Sequence, residues 1–125
     1  MRGLALDAGA LIGVERGDER VRSLLRAALE QGRDVHVVAG VVAQVWRDGA
    51  RQARLARTLD ADGVTTPSLD AQTARAVGRL CGVTGHSDVV DVHLALHARL
   101  HDLAVVTSDV DDLRLVDPTL PLIPI

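Results

Sequence analysis

Aromatic side chains are almost missing from this chain: Trp46 stands alone, with no Phe and no Tyr in 125 residues. Any core must therefore be assembled from Val, Leu, Ile and Ala. Such side chains suit helices packed on a parallel sheet, whose strands are buried on both faces. With 47% apolar residues there is material for one sizeable core. The sequence carries no linker, internal repeat or low-complexity tract, so one domain over residues 1–125 is expected. The same lack of rings removes the stacking platform on which many single-strand binders hold bases.

Short apolar runs alternate with helical patterns. Gly3 to Leu6 reads as a strand ending at Asp7, and Ala10 to Val14 as a short helix closed by Gly17. Asp18 caps a helix with Val21, Leu24, Leu25, Ala28 and Leu29 on one face, stopped at Gly32. Val35 to Ala39 is a second strand. The helix through VVAQVW breaks or bends at Asp48-Gly49 before ARQARLARTLDA, and Val64 to Thr66 is a weak strand. Asp70 caps the next helix, Gly82 and Gly85 mark a loop, and Ser87 caps a helix from Asp88 to about Leu100. Leu103 to Val106 is a strand, DVDDLRLV a short helix, and Leu122 to Ile125 a last edge strand. The alternation predicts an α/β fold in three layers, with a mostly parallel sheet of four to five strands and helices on both faces.

In such a sheet ligands bind beyond the carboxyl ends of the strands, where strand order reverses. Two strands end in an acid, Asp7 in LALD and Asp109 in LAVVTSD. The helix starting SDVVDVHLAL adds Asp88 and Asp91, three apart and on one face of its first turns. Asp88 also suits the positive end of the helix dipole, which is sufficient reason for an acid there. Asp91 lies deeper among Val and Leu, and a carboxylate so placed needs a partner or a metal. Converging carboxylates repel one another unless a cation fills the cleft. Mg²⁺ or Mn²⁺, hard ions with oxygen ligands, fit, and such ions activate water and offset charge on a phosphodiester. No His, Ser or Cys constellation competes as a nucleophile system.

Net charge is −3, mildly against a nucleic-acid partner, but every basic residue is Arg, the better bidentate phosphate ligand. The single Cys81 excludes an intramolecular disulfide and reads as a small buried apolar residue. With neither a signal-peptide pattern nor an apolar run of spanning length, a cytoplasmic protein without membrane contact is expected.

The blocks LALDAGALIGVERGD, VVAGVVAQVWRDG, SDVVDVHLALHARLHD and AVVTSDVDDLRLV, covering nearly the whole chain, resemble the PIN-domain nucleases, in particular VapC-type toxins of toxin–antitoxin pairs. The resemblance implies metal-binding acids at Asp7, Asp91 and Asp109, with Thr107 and Ser108 orienting the last turn and Asp112 behind it. It implies a Mg²⁺- or Mn²⁺-dependent endoribonuclease acting on structured cellular RNA, a homodimer, and a small antitoxin partner that blocks the pocket. The middle block departs from the family pattern, which places a Glu where AQVWR has Gln44. Three readings stay open: Gln44 ligates through its oxygen or a water, Asp48 four residues on substitutes for it, or the site is degenerate and only binding of RNA or a protein partner remains. A phosphoryl-transfer receiver also groups aspartates, but it needs a Lys, and this chain has none.

Arg47, Arg51, Arg54 and Arg57 form a basic stripe if the helix runs on past Gly49. RNA phosphate contact, docking of an acidic antitoxin tail and a plain solvated face are its three readings. His93, His97 and His101 repeat every four residues, a zinc-clamp spacing, yet no carboxylate or Cys on that face completes a ligand set, which favours surface or dimer-interface histidines. Trp46 fits core filling slightly better than an interface anchor.

Overall fold

The computed structural model describes residues 2–125. Five strands, β1 (Gly3–Leu6), β2 (Val35–His36), β3 (Val64–Thr65), β4 (Leu103–Thr107) and β5 (Leu122–Pro124), form one parallel sheet in the order β3-β2-β1-β4-β5. Helices α1 (Ala8–Arg16), α2 (Glu19–Glu30), α3 (Ala39–Val45) and α4 (Ala53–Leu59) fall in the crossovers that build leftward from β1. Helices α5 (Ala71–Thr84), α6 (Val89–Leu100) and α7 (Val110–Val116) fall in those that lead back to β4 and on to β5. Right-handed crossovers place the two groups on opposite faces, and α1 packs with α2, α3 and α4 while α5, α6 and α7 pack together. The direction of winding reverses between the adjacent strands β1 and β4, which opens the crevice at their carboxyl ends.

The core is aliphatic, as the lack of rings requires: Leu4, Leu6, Leu11, Leu55, Leu94 and Leu113 are its largest fully buried side chains. Every residue of β4 is buried, as befits a strand covered on both faces. On β2, Val35 is wholly buried and His36 half-buried; the pleat turns Val35 toward the α1–α4 layer and His36 toward the α5–α7 layer.

Several local expectations are corrected. Helix α5 continues through Gly82 and ends at Gly85, whose positive φ of 74° makes it the left-handed cap. The cap of α6 is Asp88, not Ser87: its carboxylate accepts from the Val90 and Asp91 N–H groups. The helix through Gln44, expected to break or bend at Asp48-Gly49, ends before that pair. It stops at Val45, because buried Gln52 stitches the following turn, accepting from the Arg47 and Asp48 N–H groups and donating to the Val45 carbonyl. Trp46 lies outside the core, 38% exposed and lying over Gly49. No helix among the described residues is long and apolar enough to cross a membrane.

Candidate metal centre

Asp7 is the most constrained acid of the crevice. It follows β1 directly, caps α1 by accepting from the Ala10 N–H at 2.8 Å, and accepts from the Ser108 N–H at 3.1 Å with its other oxygen. Its own N–H donates to the Val106 carbonyl, so backbone and side chain tie the ends of β1 and β4 together. Each oxygen still has lone-pair capacity left. Gly9 permits the approach: a Cβ there would collide with the Ser108 hydroxyl and lie 2.8 Å from the Ser108 Cβ.

Asp109 opens α7, yet its side chain makes no capping hydrogen bond, unlike those of Asp7, Asp18, Asp70 and Asp88 at the starts of their helices. The Thr107 hydroxyl accepts from the Asp109 N–H at 2.7 Å and fixes the turn. The freed carboxylate meets Asp91 and Asp112, and one oxygen from each of these three acids lies within 4.8 Å of the others. The electrostatics record this crowding. Partial burial, then the charge of Asp88, and more weakly that of Asp112, push the Asp91 carboxyl above its usual range, against a lowering hydrogen bond from His86. Desolvation, a hydrogen bond with Asp112, and the charges of Asp112, Asp91 and Asp7 raise Asp109 as well. Two carboxylates that resist ionisation beside further acids form a site whose repulsion a cation relieves. Its all-carboxylate donor set fits a hard divalent ion.

The remaining expected residues fall into place around this cluster. Asp88 is exposed at the rim with one oxygen committed to the α6 N-terminus. Asp112, expected behind the others, offers an oxygen in the same group as Asp91 and Asp109. Gln44 is exposed on α3, one turn beyond Gly40, whose missing Cβ leaves room for Val90 at the start of α6. Gln44 thus shares the stripe of α3 that leads toward the acid-bearing end of α6. Asp48 cannot replace it from the same helical face: it sits in the turn after α3, accepting from the Ala50 N–H and 3.7 Å from Arg51. The continuous arginine stripe does not form either, since Arg47 and Arg51 lie in that turn and only Arg54 and Arg57 on α4. Arg54 and Arg57 instead join Arg22 and Arg26 around a groove of about 330 Å³ whose floor includes Val14, Leu25 and Leu29.

His86 was not foreseen. Its Nε2 lies 3.4 Å from an Asp91 oxygen, with the ring largely shielded. The available signal was its place in the short loop entering α6, five residues before Asp91. His36 was missed too, because its contact with α6 spans 61 residues of sequence.

The family model described as PIN domain matches residues 4–117. No curated protein matches. The VapBC2 structure from Rickettsia felis, bound to a DNA fragment from its promoter, includes a chain of TM-score 0.73 and 15% identity, with 98% of each chain covered. A chain of FitAB bound to the IR36 DNA fragment aligns with TM-score 0.65, 16% identity and coverage of 97% and 94%. One of FitAcB from Neisseria gonorrhoeae aligns with TM-score 0.59, 20% identity and 95% of each chain.

Proposed function

The chain belongs to the PIN-domain family, and on that premise we propose that it is a Mg²⁺- or Mn²⁺-dependent endoribonuclease, acting as a single domain and as the toxin of a toxin–antitoxin pair. The observation that carries the reading is the convergence of Asp91, Asp109 and Asp112 beside Asp7 at the reversal of strand order. PIN domains are in general nucleases that use divalent metals, and the fold is that of chains found in VapBC and FitAB assemblies.

Asp91, Asp109 and Asp112 would hold the ion with Asp7, and the ion supplies a polarised water and charge relief on the phosphodiester. The protein's own contribution is positioning. Ser108 and Ala10 amides orient Asp7, the Thr107 hydroxyl sets the Asp109 turn, and His86 steers one oxygen of Asp91. Such outer partners keep ligand geometry fixed and typically matter about 10–100-fold in metal affinity or activity. An antitoxin of acidic and apolar character suits the groove between α2 and α4, where four arginines surround an aliphatic floor. RNA, by contrast, would meet exposed Arg47 and Arg51 beside Gln44. A homodimer is part of this reading, as is action in the cytoplasm.

A second reading, a PIN module with weakened chemistry that binds RNA or a protein, is favoured by one observation: neutral Gln44 stands exposed on the stripe that leads to the acids. One experiment separates them. Structured RNA is incubated with Mn²⁺ and wild type, Asp109→Asn or Gln44→Glu. The nuclease reading expects measurable cleavage by wild type and a loss of at least about 100-fold in Asp109→Asn, beyond the effect of an outer-sphere change. Equal cleavage by wild type and Asp109→Asn sinks it. Cleavage appearing only in Gln44→Glu, with tighter Mn²⁺ binding, establishes the weakened module.

A further inference from the structure

The far end of α6 carries a second group of metal-type ligands that the acidic cleft does not use. His97 and His101, four residues apart, stack with ring centres 4.2 Å apart, and His36 reaches over from β2 with its ring centre 5.0 Å from His97 and 5.7 Å from His101. The Nδ1 of His36 lies 2.7 Å from the Nε2 of His97. At that distance one nitrogen donates and the other accepts, so the two rings share one proton. Burial, and after it the neighbouring His101, His36 and His93, push His97 down to about 4, which leaves it uncharged at neutral pH.

We propose that His36, His97 and His101 form a binding site for a borderline-soft divalent metal, Zn²⁺ in the first instance, separate from the carboxylate site. As they stand the three rings do not bring one nitrogen each as close together as the acids bring their oxygens, so His101 must turn to complete the set. With Zn–N near 2.0–2.1 Å, a tetrahedral ion holds the ring centres of its imidazole ligands about 5 Å apart. The three separations here bracket that value. Coordination displaces the shared proton, which moves through solvent to the other nitrogen of its own ring so that both imidazoles stay neutral, and the two nitrogens widen from 2.7 Å to about 3.3 Å. His101 is exposed at the end of α6 and free to swing its ring nitrogen inward. Asp34, two residues before His36, adds a negative charge near the rings that favours a cation. Of the three histidines, His101 lines a surface cleft of about 370 Å³ that Asp34 and Asp102 share with Arg2 and Arg33, and through it meets solvent.

His97 and His101 lie six and ten residues beyond Asp91, about 9 and 15 Å along the helix axis. The two sites also differ in kind: carboxylate oxygen for a hard ion at one end, neutral imidazole for zinc at the other. A filled histidine site would pin β2 to the C-terminal end of α6, clasping an early strand to a late helix.

The test is calorimetric titration of tag-free protein with Zn²⁺ in excess Mg²⁺, comparing wild type with His101→Ala, His36→Gln and Asp109→Asn. His101→Ala removes an exposed side chain, and circular dichroism checks that each variant is folded. One zinc per chain is expected in wild type and Asp109→Asn, with affinity at least about tenfold weaker in both histidine variants. Co²⁺ substituted for Zn²⁺ should show the visible absorption of a tetrahedral, nitrogen-rich site in wild type and lose it in His101→Ala. Folded wild type that binds no zinc overturns the proposal, as does zinc binding that survives the histidine changes or disappears with Asp109→Asn.

Discussion

Single atoms set the acidic cleft. Gly9 has no side chain where Ser108 crosses the start of α1, and the Ser108 N–H thereby reaches Asp7. In Gly9→Ala the new methyl must displace Ser108 and with it the turn that carries Asp109. The expected result is a folded protein with Mn²⁺ affinity lowered about 10–100-fold, read by calorimetry; unchanged affinity would show that the Ser108 contact does not matter to the cleft. The acids Asp7, Asp91 and Asp109 were legible because each stands at the end of an apolar strand or within the apolar start of a helix. The resemblance alone places Asp112 behind the others, whereas its oxygen joins those of Asp91 and Asp109. What distinguishes Asp109 is a negative fact, its uncapped helix, and no sequence pattern reveals that a carboxylate will decline a hydrogen bond.

Among the elements, α3 shows the limit of periodicity. Asp48-Gly49 marks a break between two helical patterns, but α3 already ends at Val45, where a buried amide at Gln52 satisfies three backbone groups at once. A side chain that bonds the backbone four, five and seven residues earlier lies outside any local rule. The junction of α6 and α7 has a comparable anchor in Asp117, which accepts from Arg99 at 2.9 Å and from the Thr119 N–H and hydroxyl. Burial alone would push the Asp117 carboxyl up, but the bonds from Thr119 and Arg99 outweigh it and hold it below the usual range. A depressed folded value means the contribution is fully present above the unfolded value of about 3.9 and is lost as pH falls through the lower folded one. Asp117→Ala should therefore cost about 1–2 kcal/mol at pH 7, toward the low side because Arg99 is largely solvated. Chemical denaturation at pH 7 and below pH 3 checks it: the gap between wild type and variant should shrink in acid, and a gap that is constant with pH would assign the effect to packing alone.

At the scale of the molecule, the sheet order was not legible although its parallel character was. Alternating strands and helices fix the hand and the layers, but which strand lies beside β1 depends on contacts about a hundred residues apart. The acids gathered at that seam oppose folding when empty, since burial and mutual repulsion raise Asp91 and Asp109. Metal-free Asp109→Asn should melt at a higher temperature than metal-free wild type. Mn²⁺ should raise only the wild-type midpoint appreciably, with about 2.7 kcal/mol of added stability at a hundredfold excess over the dissociation constant. A lower midpoint for the metal-free variant would mean that Asp109 stabilises the empty fold.

The pairing of β1 with β4 also orders events in time. Gly3 meets Leu103 and Leu6 meets Val106, so the central seam of the sheet joins stretches of chain made early and late in synthesis. Contacts of such long range are slow to form and come only after the intervening loop has been closed. A nascent chain carrying Asp7 but not yet β4 has no cleft, because the Ser108 amide and Asp109 do not exist for it. The acidic cleft is in this way withheld until the later part of the chain has been made, by the order of its strands alone.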